Sequence, residues 1–573
     1  MLNLLALTVL LPLFGAGGIW AWSEGGRAAA RLTALVTTLV TLGCAGWLVF
    51  HYPEGPVAFD YDWLRGAISG VDIRFSLGLD GLSLWMFGLS ALLTVTAVLV
   101  SWEAIEDRAP AFYALLLLLE SGMLGVFAAR DIILFYVFFE FTLIPLFFLI
   151  GIWGSEQRRQ AAIKFFLYTL AGSVLTFLGL LAIVLWVFKH PAPGEAATLT
   201  FSIQALTDAL SATPMSYGWQ LTVFLALFAG FAIKVPLFPL HTWLPLAHVQ
   251  APTAGSVILA GILLKIGTYG FLRFSIPMLP EATAACAPWL LGLSAAGIIY
   301  GALVALAQSD IKRLIAYSSV SHMGFCLLGL FSLNRLGLAG GTLQMINHGL
   351  STGGLFAIVG MLYERYHTRD IKAYSGIARR TPCLAFFLLL MTFSSIGLPG
   401  MNGFAGEIML LTGMFQRAWG GAPVGWETAY MVFAVLAVLG VVLGAWYMLW
   451  LVERVFFGPL KEPHVQHGEI SGHAHESHVP DLNFREMAAL IPLVVFVFWI
   501  GLKPGYFLEH MQPDIERLSM PATMAMERRH APVMLTQGEE LGPRNELVAN
   551  VSDIPHSAFR VPTSTVAGPA HAP

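Results

Sequence analysis

The sequence predicts an all-α, polytopic membrane protein of about fourteen transmembrane helices, built as two inverted five-helix repeats with a discontinuous helix in each. Three observations carry that expectation. Apolar residues make up 57% of the 573-residue chain and charged residues only 12%, with a mean hydropathy of +0.72, a composition suited to a bilayer and not to water. About fourteen apolar stretches, each near the roughly 20 residues needed to cross a hydrocarbon layer, are set apart by polar punctuation. Two of these stretches are interrupted in the middle by proline and glycine, five stretches apart.

The first three stretches, 3–22, 32–51 and 79–101, belong to an N-terminal unit, 1–110. The segment from Met1 to Trp22 has no basic leader and no small-residue cleavage site, so it reads as a retained helix and not as a signal peptide. The next five, 111–129, 131–153, 162–188, 218–247 and 254–276, form the first repeat, 111–276. Five more, 285–307, 313–332, 338–364, 384–417 and 428–456, form the second, 285–456. A linker, 457–484, carries His464, His467, His473, His475 and His478, which suits a solvated loop or adventitious metal binding. The last stretch is 485–503, and the tail, 504–573, reads as polar, Pro-rich and disordered.

The interrupted stretches are the seventh and the twelfth. In FAIKVPLFPLHTWLP, Phe231 to Pro245, Pro236 and Pro239 cannot donate backbone hydrogen bonds, so the carbonyls of Ala232 and Val235 are expected to be free. In SSIGLPGMNGFAGE, Ser394 to Glu407, Pro399 and the glycines at 397, 400, 403 and 406 loosen the helix in the same way. A repeat of five crossings must return upside down. Broken helices at matching positions of two such halves point to a transporter with its site near the midplane. Basic residues set the orientation. Arg27 and Arg31, Arg158, Arg159 and Lys164, Lys312 and Arg313, and Arg365 to Arg380 follow odd-numbered crossings, so those loops are expected in the cytoplasm and both termini outside.

Charge excludes some partners. With 31 basic and 35 acidic residues and no basic stripe, nucleic acid is not a ligand. Cys44, Cys286, Cys326 and Cys383 lie far apart and show no zinc, haem or iron–sulfur spacing, so any electron transfer is expected on another chain.

Charges inside apolar stretches carry the chemistry. Glu140 sits in FYVFFEFTLIPLFFLI, Lys234 before the first break, Lys265 in SVILAGILLKIGTYGFL, Glu407 after the second break, and Glu120 in LLLLLESGMLGV. Each costs roughly 2.5–3.5 kcal/mol at the bilayer centre. They are either static braces or members of a proton relay. Buried ion pairs are rarely more stabilising than apolar packing of the same volume, which favours the relay. A carboxylate that moves near a buried lysine lets the lysine take up or release a proton near neutral pH. His241, His248, His322 and His348 fall between the charges and could hand protons on, although a satisfied core histidine is an equal reading for any one of them. Ser319, Ser321, Ser351 and Thr352 lie close by in sequence. Asp310, Lys312 and Arg313, in QSDIKRLIAYSS, read as a helix cap with a positive-inside cluster.

The run HTWLPLAHVQAPTAGSVILAGILLKIGTYG, His241 to Gly270, with SDIKRLIAYSSVSHMG and GLPGMNGFAGE, resembles the antiporter-like membrane subunits of respiratory complex I, the proton-translocating NADH-quinone oxidoreductase. The resemblance runs from about residue 70 to residue 456, and motifs this long are specific to the superfamily. It implies that Glu140 and Lys234 are the glutamate–lysine pair of the first half, Lys265 the central lysine, and Glu407 the acidic residue of the second broken helix. A glutamate there favours the chain M type over its sisters, and the lack of a long amphipathic helix after the last stretch argues against the chain L type. Leu246 departs from the pattern, since many relatives carry an acidic residue there. The resemblance further implies a chain without a cofactor of its own, with FMN, iron–sulfur clusters and quinone on partner subunits. Its neighbours would be the antiporter-like chains L and N, in a bacterial plasma membrane. Protons would move through the Glu/Lys/His relay, driven by quinone reduction elsewhere. The alternatives are a subunit of a multisubunit sodium–proton antiporter, which shares the motifs, and a structural membrane scaffold.

Overall fold

The computed structural model describes residues 4–21, 26–52, 58–62, 71–191, 197–463 and 479–530. Among them, twelve helices are long and apolar enough to cross a membrane, and Leu84–Val100 and Pro382–Ser395 are shorter apolar helices. Each of the expected apolar stretches coincides with one of these. In chain order they begin with α1 (Leu4–Ala21), α2 (Gly26–Phe50), α3 (Leu84–Val100) and α4 (Ala109–Ala128). Next come α5 (Ile132–Phe141) with α6 (Leu143–Trp153), α7 (Arg158–Lys189), the short α8 (Ile203–Ala212), and α9 (Tyr217–Lys234) with α10 (Trp243–Gln250). The stretch from Thr253 to Met278 is α11 (Thr253–Ile258), α12 (Leu264–Gly270) and α13 (Ile276–Met278), joined by π-helical turns at Leu259–Leu263 and Phe271–Ser275. The second half holds α14 (Pro280–Leu306), α15 (Ile311–Phe331), α16 (Arg335–Tyr366), α17 (Pro382–Ser395) with α18 (Asn402–Gly420), and α19 (Glu427–Phe456). The helices end with α20 (Phe484–Leu502) and α21 (Pro504–His530).

Burial sorts these helices into axis and wall. The apolar windows of Thr253–Met278 and of α16 are 100% buried, whereas that of α19 is 33% buried. A helix apolar all round belongs inside a bundle, and one whose outer face is Val435, Val442 and Trp446 faces lipid. α16 packs against α15, α18, α17, α3, α11 and α20, which makes it the central post of the second half.

Local chemistry sets the ends. Asp131 caps α5, accepting from Ile133 N at 2.8 Å and Leu134 N at 3.3 Å. Asn483 and Glu486 form a capping box at α20. The carboxylate of Glu486 also takes two hydrogen bonds from Arg365, at 2.8 and 2.7 Å, which ties α20 to α16.

Two short strand pairs accompany the helices: β1 (Ala58–Asp62) pairs antiparallel with β3 (Arg74–Gly78), and β2 (Val71–Asp72) pairs with β4 (Leu199–Thr200). The structure corrects three expectations. The tail is not disordered from residue 504, because α21 continues to His530. Its Phe507, Met511, Ile515, Leu518, Ala522, Ala525 and Met526 recur at helical spacing and are buried against the bundle, which outweighs Pro513 and Pro521. An amphipathic helix therefore does follow the last apolar stretch, so its supposed absence no longer argues for one type of chain over another. The Ala232 carbonyl is not free, since it accepts from Leu237 N at 2.9 Å. The His-rich segment 464–478 and residues 531–573 lie outside the described residues.

Candidate functional site

The two breaks deliver the expected charges. α9 ends on Lys234, and the chain turns through Val235 to Thr242 before α10. α17 ends at Ser395, and Glu407 lies in the second turn of α18. Lys265 stands just after the first π-helical turn, and its Nζ donates to the Ala260 carbonyl within that turn. The same nitrogen lies 2.7 Å from His348 Nδ1 on α16. The rings of His348 and His322 are 5.6 Å apart, centroid to centroid. His322 Nδ1 is 3.9 Å from Glu407 Oε1. Lys265, His348, His322 and Glu407 therefore form one continuous row through α12, α16, α15 and α18, all of them buried.

Other hydroxyls and amides frame this row. The far nitrogen of His322 is 3.2 Å from Ser395 Oγ and 3.5 Å from Tyr447 OH. Gln344 donates to Glu407 Oε1 at 3.1 Å. Asn347 and Asn402 continue that contact into the break. Sequence reading missed Gln344 and Asn347. The signal was present in QMINH, where Gln344, Asn347 and His348 share one helix face at spacings of three and four.

The remaining expected residues are less connected. Lys234 makes no hydrogen bond, and its ammonium sits over the Phe139 ring, 4.5 Å from the centroid. Glu140, one residue on, acts on it across space without forming an ion pair, and Glu140 Oε1 makes no hydrogen bond. His248 stacks on Phe356 at 4.6 Å with both ring nitrogens unpaired, within electrostatic reach of Lys265 and Lys312. His241 packs among Phe238, Tyr300 and Tyr317, away from the row. Glu120 is fully buried with both oxygens unpaired and joins nothing. Asp310 caps α15 as expected, accepting from Arg313 N at 3.0 Å. Lys312 reaches further than a surface cluster would: it is buried and donates to the Ala251 carbonyl at 2.6 Å. It also lines a cavity of about 490 Å³ shared with Glu103, Glu106, Glu364 and Arg369. Ser319 and Ser351 spend their hydroxyls on their own helices, and Ser321 bonds the Ile298 carbonyl.

Two other buried charge pairs of the chain are tightly closed. Arg273 holds Asp80 through two bonds, 2.6 and 2.8 Å, and Arg365 holds Glu486 equally well. The relay residues are not closed in this way: a lysine faces a histidine, and a glutamate faces an amide. A brace needs the first arrangement, and a group that must change its proton needs the second.

Similarity to known proteins shows the family and the fold. Residues 129–440 match the family described as NADH:quinone oxidoreductase/Mrp antiporter, TM. The chain is 40% identical to NADH-quinone oxidoreductase subunit M of Rhodobacter capsulatus over 529 residues, covering 90% of this chain and 96% of that one. A chain of respiratory complex I from Thermus thermophilus with bound NADH superposes with a TM-score of 0.76 at 34% identity, covering 90% of this chain and 99% of that one. A chain of the Mrp complex from Dietzia sp. DQ12-45-1b superposes at 0.74 with 22% identity, covering 92% and 99%, which shows a shared fold. This chain belongs to the NADH:quinone oxidoreductase/Mrp antiporter family and, within it, to the subunit M type of NADH-quinone oxidoreductase.

Proposed function

We propose that this chain carries protons across the membrane through Glu140, Lys234, Lys265, His348, His322 and Glu407, as a membrane-arm subunit whose redox centres, FMN, iron–sulfur clusters and quinone, sit on partner subunits. The observation that supports it most is the unclosed state of its buried charges beside two tightly closed ion pairs in the same bundle. Lys265 shares its proton with a neutral acceptor, His348 Nδ1, at 2.7 Å. Movement of charge at Glu140 changes how strongly Lys234 holds its own proton, because no ion pair locks the two together. His322 then passes the proton from the centre towards Glu407, and the second break gives it a way to the outer side. His248 and Lys312 extend the row towards the cytoplasmic cavity; His241 stands outside it.

The neighbours in this reading are the antiporter-like chains L and N, and the membrane is a bacterial plasma membrane, a reading supported by the similarity to a subunit M from a bacterium. The sodium–proton antiporter reading has the shared fold behind it but a much lower identity. A scaffold would tolerate loss of Lys234 or Lys265. In the assembled complex in sealed vesicles, Lys234→Ala or Lys265→Met should depress the pH gradient formed per NADH oxidised, and an unchanged gradient in both would support the scaffold instead.

A further inference from the structure

Gln344 stands one turn before His348 on α16. Its Nε2 donates to Glu407 Oε1 at 3.1 Å, and its Oε1 accepts from Asn347 Nδ2 at 3.0 Å. The same Nδ2 donates to the backbone carbonyl of Asn402 at 2.8 Å, at the start of α18. A backbone carbonyl can only accept. That single group fixes which end of the Asn347 amide faces it, and Asn347 in turn fixes Gln344, with its oxygen towards Asn347 and its N–H towards Glu407. Asn402 is held as well: its Oδ1 accepts from Ser394 Oγ at 2.6 Å, and its Nδ2 donates to the Asn347 carbonyl at 3.4 Å. All three amides are buried. Asn347 Oδ1 is left without a hydrogen bond in this arrangement, but reversing the string would set that oxygen against the Asn402 carbonyl, acceptor against acceptor.

The two oxygens of Glu407 are therefore unlike. Oε1 takes the amide N–H and is the oxygen that faces His322 Nδ1 at 3.9 Å. Oε2 makes no hydrogen bond and is the atom that a Cβ on Gly397 would meet first, in the break between α17 and α18, where Gly397 has φ +69°. An N–H binds a carboxylate or carbonyl oxygen better than a protonated one, so a proton on this carboxyl group rests on Oε2.

We propose that Gln344 is a positioning residue that makes Glu407 a directional carrier, loaded on the oxygen facing His322 and emptied from the oxygen facing the helix break. The proposal rests on Glu407 being a relay member. In the loading step, the proton leaves His322 Nδ1 for the facing oxygen and converts the Glu407 carboxylate to the acid; a half-turn of the carboxyl group about Cγ–Cδ then carries the O–H to the side of the break and sets the unprotonated oxygen against the Gln344 N–H. In the emptying step, the proton leaves the oxygen that faces the break and restores the carboxylate. Gln344 neither gains nor loses a proton.

The test uses the assembled complex in sealed vesicles with Gln344→Met, which keeps the length and removes the donor, Asn347→Leu, which unties Gln344, and Glu407→Gln. Two quantities are read: protons moved per NADH oxidised, and the infrared carboxyl band that Glu407→Gln abolishes. Gln344→Met should slow proton transfer through this chain roughly tenfold, the weight of one hydrogen bond to a charged group, and should move the Glu407 band, because the carbonyl oxygen loses its donor. Asn347→Leu should give a smaller loss and split the band. A Gln344 that only fills space leaves the band in place. Normal pumping and an unmoved band in Gln344→Met, with Glu407→Gln inactive, overturn the role of Gln344 and leave the relay standing. Should Gln344→Met fail to assemble, an unsplit band in Asn347→Leu overturns it. Normal pumping in Glu407→Gln overturns the relay itself.

Discussion

Removing the carboxylate of Asp80 separates the charges that brace this bundle from those that work in it. Both oxygens of Asp80 accept from Arg273, at 2.6 and 2.8 Å, and Arg273 Nε donates to Tyr269 OH at 3.0 Å. The two side chains are only 11% and 14% exposed. Burial pushes the Asp80 carboxyl up, but the adjacent guanidinium of Arg273 more than reverses this and holds it well below the usual carboxylate range. The pair is therefore charged at any working pH. Asp80→Ala leaves a guanidinium buried with no counter-charge, which costs about 3–5 kcal/mol, more than a hundredfold in an equilibrium. Asp80→Ala with Arg273→Met removes both charges and should recover most of that loss. The assay is the half-life of the purified complex at elevated temperature, together with protons moved per NADH oxidised in the surviving fraction. The single variant should shorten the half-life sharply and leave the ratio unchanged. A double variant as unstable as the single one, or a single variant that loses pumping at full stability, would refute the division between braces and carriers.

The opposite pattern is expected at Lys265, where Lys265→Met removes a buried ammonium that has no counter-ion and so should keep or lengthen the thermal half-life while lowering the proton ratio. Gly397→Ala forces a side chain into a left-handed backbone and against Glu407 Oε2, and should cost about 1–3 kcal/mol in thermal stability and lower pumping. Ile515→Ala, at a site 2% exposed on α21, should cost about 2–5 kcal/mol, read as faster proteolysis of that helix. Burial pushes the Asp131 carboxyl up to about 6, against three backbone donors that favour the charged form. The folded state thus prefers the neutral acid. The Asp131 contribution to stability is full below about pH 4, its unfolded range, and is lost as pH rises through about 6. Wild-type stability relative to Asp131→Asn should accordingly fall over that window, and a flat difference in thermal midpoint would contradict it.

Helix positions were legible because lipid imposes length and apolarity on each crossing, and the breaks were legible because Pro236, Pro239 and Pro399 cannot sit quietly inside a helix. Lys265 and Glu407 stood out for the same reason: a charge in an apolar run is conspicuous. Gln344, Asn347 and Asn402 carry no charge and no strong hydropathy signature, so their part emerged only when α16 and α18 were placed side by side. Lys312 looked like a surface residue because its partner, the Ala251 carbonyl, lies across another helix end. The α21 stripe was hidden by Pro513 and Pro521, whose cost is met by burial that only the bundle supplies. Glu140 and Lys234 stood out by charge, but that the Lys234 ammonium sits over the Phe139 ring and not in an ion pair could not be read from the sequence.

The row from Lys265 through His348 and His322 to Glu407 is tested most directly by breaking its middle while sparing its ends. With His322 and His348 both replaced by leucine in an otherwise intact complex, the pH gradient built per NADH oxidised in sealed vesicles should fall while NADH oxidation continues. A full gradient from that double variant would show that protons do not travel through these two rings.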